Sequence, residues 1–133
     1  MLFKQVTLGI ILLFFSGFVH AQRPDSTVLT KQFIYVLRLT PKYQIAANRS
    51  GKESKIIREH VQYLKKMTDE GKCYLAGRTN LENNPNVFGV VIFDASGIEE
   101  AKSIMENDPV IKNGIFQAEV ERFNIVFLKR KMN

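Results

Sequence analysis

The chain has 133 residues, 45% of them hydrophobic and 24% charged, with a formal net charge of +6. A single cysteine, Cys73, excludes an internal disulfide framework, and the two histidines, His20 and His60, have no cysteines at zinc-site spacing beside them, so no structural metal is expected. The basic balance alone would admit nucleic acid as a partner, but no aromatic-basic recognition motif accompanies it, and none is expected.

In chain order, Lys4 precedes the apolar run Leu8-Gly9-Ile10-Ile11-Leu12-Leu13-Phe14-Phe15, and Val19-His20-Ala21 supplies a small-residue cleavage site. Residues 1–21 therefore read as a cleavable signal peptide, the mature chain starts at Gln22, and the protein is expected to be exported, secreted or periplasmic. The apolar stretch from Val6 to Val19 is shorter than the roughly 20 residues that cross hydrocarbon, so no integral membrane segment is expected after cleavage. Removing 21 residues from 133 leaves 112, enough for one domain with its own core. Residues 22–31 are polar, contain Pro24 and read as a linker. The domain occupies 32–129, and 130–133 close the chain as a basic tail, either solvated or in weak contact with an anionic cell surface.

The first strand is expected over Gln32 to Leu39 and ends at Thr40-Pro41. Lys42 to Lys52 shows no sustained periodicity and reads as a long loop. Between Glu53 and Glu70, Ile56, Ile57, Val61, Leu64 and Met67 recur at helical spacing, and Gly71 stands where a helix would stop. Lys72 to Thr79 and Val87 to Asp94 read as the second and third strands, joined by the turn-rich Asn80 to Asn86. Ser96 is expected to cap a shorter helix through Met105, which Asp108-Pro109 breaks. A single turn around Val110 to Lys112 and a last strand from about Ala118 to Leu128 complete the chain.

This β-α-β-β-α-β order is that of a ferredoxin-like α+β domain, a four-stranded antiparallel sheet with both helices on one face. Only the covered face of such a sheet should be apolar, yet here both are. Phe33, Tyr35, Leu37 and Leu39 oppose Ile34 and Val36, while Val91 and Phe93 oppose Phe88, Val90 and Ile92. A second apolar face asks for a cover, and the simplest is the same face of another copy, giving a homodimer whose two sheets enclose a barrel.

After cleavage His60 is the only histidine, and so the only ordinary side chain poised to exchange a proton near neutral pH. By helix position alone it reads first as a packed histidine with one hydrogen bond. Asp108 reads completely as the N-cap of a turn with Pro109 at its first position, a role that leaves one carboxylate oxygen free to orient an imidazole.

Glu59-His60-Val61-Gln62-Tyr63-Leu64, Gly71, Ala76-Gly77-Arg78, Glu99-Glu100-Ala101 and the run Asn107 to Phe116 (NDPVIKNGIF) together resemble the YCII-related family over roughly Phe33 to Leu128. The resemblance implies a dimeric α+β barrel and a His-Asp active-site pair that maps onto His60 and Asp108. It also implies kinship with muconolactone isomerases and chlorinated-aromatic dehydrochlorinases. A histidine oriented by a carboxylate is a competent general base. The leading expectation is thus a small-molecule lyase, isomerase or hydrolase acting without metal or organic cofactor. Arg78 is a candidate to hold an anionic group, against the plainer reading of a solvated strand-end arginine, and Tyr35 and Tyr74 are candidate pocket hydroxyls that otherwise fill a barrel. The ligand expected is an anionic or aromatic small molecule. Two other classes stay open: a non-catalytic ligand-binding module using the same cavity, and an interaction module using the open sheet face.

Overall fold

The computed structural model describes residues 30–80 and 85–129. The expected signal peptide, all but the last two residues of the linker and the basic tail lie outside the described residues. Strand β1 (Lys31–Leu39) is rich in β-branched and aromatic side chains, which suit a pleated, half-buried surface. It pairs antiparallel on both sides, with β3 (Phe88–Ala95) and with β4 (Phe116–Arg122), and β2 (Cys73–Arg78) adds to β3, giving the order β2-β3-β1-β4. This is the α+β ferredoxin-like sheet expected from the element order. Phe33, Tyr35, Leu37, Leu39, Val91 and Phe93 are buried on the helix-covered face, and Ile34, Val36, Val90 and Ile92 lie on the other.

The long helix α2 (Lys52–Asp69) ends in a Schellman motif: Gly71, at φ 73°, donates to the Thr68 carbonyl and Lys72 to that of Met67. The second long helix, α3 (Ile98–Glu106), buries Ala101 and Met105 against β3, β1 and β4. A single turn, α4 (Pro109–Lys112), follows it with Asp108 at the N-cap and ends at Gly114, φ 68°, in the same pair of bonds, from Gly114 to Ile111 and from Ile115 to Val110. Backbone and side-chain bonds from Thr40 to Ile115 and Gly114 fasten this turn to the end of β1. Helix α2 packs on α4 and β2, and the Tyr63 hydroxyl ties it to α3 by donating to the Ile104 carbonyl at 2.8 Å.

Three local expectations are corrected. The segment expected as a long loop holds a short helix α1 (Pro41–Gln44) and a 3₁₀ turn (Ala46–Asn48), because Pro41 is preorganised for a first helical position and Thr40 offers its carbonyl to Tyr43 and Gln44. Ser96 does not cap α3. Gly97 stands at the N-cap, and Ser96, one residue outside, donates both its N–H and its hydroxyl to Glu100, which reaches back to it. The last strand ends at Arg122 rather than near Leu128, because its partner β1 runs out: Arg122 pairs with Phe33, and beyond it Phe123 and Ile125 bond only to Gln32. Val126 and Phe127 are left exposed.

Candidate active site

Asp108 is the one buried carboxylate among the described residues, with no exposed surface. The break between α3 and α4 puts it at the N-cap, where Oδ1 accepts the Val110 N–H at 3.2 Å. His60, 48 positions earlier on the inward side of α2, is met not by the other oxygen, as expected, but by the same Oδ1, 2.7 Å from its Nδ1. The other oxygen, Oδ2, accepts the Tyr35 hydroxyl from the middle of β1 at 2.8 Å. Three elements thus converge on one carboxylate.

A carboxylate only accepts, so Nδ1 of His60 carries the hydrogen and Nε2 is the basic nitrogen. Nε2 has no bonding partner among the described side chains, and no buried polar atom there lacks a partner, so Nε2 reaches solvent. His60 lines a cleft of about 610 Å³ together with Ile57, Val61 and Leu64 of α2 above and the sheet below. The volume falls within the range of small-molecule sites. The floor is low at Ala76, Gly77 and Gly89, where β2 meets β3. A Cβ at Gly89 would meet the Leu37 side chain at 3.3 Å.

Burial foremost, and then the neighbouring Asp108 charge and its hydrogen bond, push the Tyr35 hydroxyl far above its ordinary range, so it stays protonated and must donate. The half-buried Tyr63 hydroxyl is raised for the same two leading reasons, burial and then Asp108. Burial also raises the Cys73 thiol, a poor nucleophile there.

The expected pair, His60 and Asp108, is brought within hydrogen-bond distance, and Arg78 lines the same cleft at the end of β2. The two tyrosines do not line it. Tyr35 is entirely buried beneath the cleft, on Asp108, and Tyr74, at the irregular pairing of β2, is exposed and donates to Asp94. Sequence reasoning missed Tyr43, Arg49 and Glu53 at the cleft mouth, because they belong to the segment read as loop and to the first turn of α2. It also missed the bond from Tyr35 to Asp108, which spans 73 positions and leaves no local pattern. Among the described residues no three His, Cys, Asp or Glu side chains come together as metal ligands, and no helix is long and apolar enough to cross a membrane.

The model of the YCII-related domain matches residues 35–124. Comparison with curated proteins gives no match. Among solved structures, the chain is similar to the 5-chloro-2-hydroxyhydroquinone dehydrochlorinase TftG of Burkholderia phenoliruptrix, solved with 2,5-dihydroxybenzoquinone. The identity is 22% and the TM-score 0.53, over 70% of this chain and 93% of that one. A conserved protein of unknown function from Bacteroides thetaiotaomicron, described as a possible oxidoreductase, is more remote, at 11% identity and TM-score 0.39 over 71% of this chain and 95% of that one.

Proposed function

The chain belongs to the YCII-related domain family, and on that premise we propose that it is a small-molecule lyase, isomerase or hydrolase in which His60 is the general base. The observation that carries this reading is the His60 imidazole itself. Its Nδ1 lies against a buried carboxylate while the His60 ring lines a cleft, an arrangement that leaves Nε2 for a ligand there. Such a nitrogen can take a proton from carbon next to a carbonyl, or from water, and return it to the leaving group or product. Asp108 orients the ring and stabilises the imidazolium that forms. Arg78, at the cleft wall, suits an anionic group of the substrate through its planar fork. The apolar lining from Leu37, Ile57, Val61 and Val91 suits a ring or other apolar body, and TftG on the same fold carries the ring compound 2,5-dihydroxybenzoquinone.

We further propose a homodimer through the open sheet face, supported by Ile34, Val36, Val90 and Ile92 there, and export through residues 1–21. Intact-mass measurement of secreted protein should show the loss of those 21 residues.

The test is a thermal-shift screen of small aromatic and carboxylic compounds against the protein from Gln22 onward, since a binder of the folded state raises its Tm. Binders are then incubated with wild type and with His60→Gln. Conversion by wild type alone supports catalysis. Binding that is equal in both proteins, with conversion in neither, favours the ligand-binding reading that the mostly aliphatic cleft would also serve.

A further inference from the structure

We propose that Tyr35 is a positioning residue of this site: by holding Oδ2 of Asp108 it fixes the carboxylate plane, and through it the His60 tautomer that leaves Nε2 basic toward the cleft. The consequence for turnover rests on the proton-transfer reading above, whereas the tautomer itself does not.

The geometry carries the assignment. The terminal torsion of an aspartate is broad, so a carboxylate held at one oxygen alone swings. Oδ1 of Asp108 is shared between His60 and a long cap bond of 3.2 Å from Val110, and neither defines where Oδ2 points. Tyr35 does, at 2.8 Å, and it is itself immobilised. It sits at the centre of β1, opposite Val91 on one side and Val120 on the other, with its ring edge-on to Phe93 at 5.6 Å between centroids.

The chemistry of the donor matters as much as its place. A phenol gives one hydrogen bond and no charge, so it orients the carboxylate without competing for it as a lysine or arginine would. Burial keeps that hydroxyl protonated, so the bond persists across the working pH range. Were Tyr35 only filling the core, its removal would cost stability and leave the imidazole unchanged. Acting through Asp108, it must also set which ring nitrogen carries the hydrogen.

His60 is the only histidine from Gln22 onward, so the nitrogen-15 spectrum of the mature protein holds a single imidazole. Wild type should show Nδ1 protonated and Nε2 unprotonated at pH above the imidazole titration. In Tyr35→Phe, with folding verified by thermal denaturation, the ratio of the Nδ1–H to the Nε2–H tautomer should fall roughly five- to tenfold, as loss of an ordinary hydrogen bond would allow. An unchanged ratio in folded Tyr35→Phe overturns the proposal. If Tyr35→Phe does not fold in plain buffer, the same spectrum is read on it in trimethylamine N-oxide, which favours the folded state. The tautomer ratio should fall by the same factor there. An unchanged ratio in that folded protein overturns the proposal equally. Loss of turnover in His60→Gln with no tautomer change in Tyr35→Phe would leave the function standing and remove only this role.

Discussion

The two long helices lie on one sheet and use their apolar stripes differently. Helix α3 comes close, with Ala101 entirely buried and Met105 nearly so. Helix α2 has the longer stripe, yet it buries fully only Met67, near its C-terminal end, and leaves Ile57 41% and Val61 57% exposed. The small side chain of Ala101 lets α3 approach the sheet. The bulkier α2 is held instead on β2 and α4, and the gap beneath it is the cleft. An apolar stripe at helical spacing therefore need not be a packing contact along its whole length, and here part of it lines a cleft.

The sharpest way to break this contrast is at His60, which α2 carries over the gap. Removing a positioned general base typically costs about 10²–10⁴-fold in rate, so on the proposed role His60→Gln should lose turnover of an identified substrate by that factor while leaving the fold largely intact. Asp108→Asn should impair turnover and also lower stability, because Asp108 is the cap of α4 and the acceptor of a buried phenol. A His60→Gln protein that melts as early as Asp108→Asn would mean that His60 is core and that α2 is packed like α3.

Stability should sort the two helices next. Met67→Ala, at the anchored end of α2, should cost about 2–5 kcal/mol, and Ala101→Leu about 1–3 kcal/mol through overpacking under α3. Val61→Ala should stay within about 0.5 kcal/mol, since its side chain faces the cleft mouth. Urea denaturation measures all three, and a Val61→Ala cost matching that of Met67→Ala would show that α2 closes onto the sheet.

Alkaline titration separates the covered core from the cleft by another route. The folded-state values of Tyr35 and Cys73 are raised by burial above ordinary values of 10.0 and 9.0. Both groups therefore favour the folded state fully below those values, and that contribution is lost as pH rises past them, because the unfolded chain gives up its protons first. The urea midpoint should begin to fall near pH 9.0 and steepen above pH 10.0, with Tyr35 contributing about 1.4 kcal/mol per pH unit. Tyr35→Phe should flatten the upper part.

The smallest expected effect concerns the opposite face. On the proposed homodimer, Val90→Lys should shift native mass toward the single chain with little change in fold. Val91→Lys, at a position 1% exposed in the core, should instead unfold the protein.

Much of this was legible in the residues. The strand alternation put Tyr35, Val91 and Phe93 on one face and Val90 on the other, while the pairing of His60 with Asp108 came from the family resemblance, since helix position alone read His60 as a packed histidine. What stayed hidden depended on tertiary context. Phe123 to Leu128 is as strand-like as the residues before it, but strand formation needs a neighbour, and β1 ends at Lys31. The distance between α2 and the sheet depends on what lies beneath it, on Ala76, Gly77 and Gly89, and no pattern along α2 records that. The Tyr35 bond joins the first strand to the last turn and appears only when the sheet is assembled.

The proposed role of His60 requires Nε2 to stand open in the cleft while Nδ1 is held by Asp108. Diethyl pyrocarbonate acylates an accessible unprotonated imidazole nitrogen, and in the protein from Gln22 onward His60 is the only histidine it can reach. One imidazole should be modified in the native state, at a rate slowed by a compound that binds the cleft. An imidazole that reacts only after unfolding would rule that geometry out.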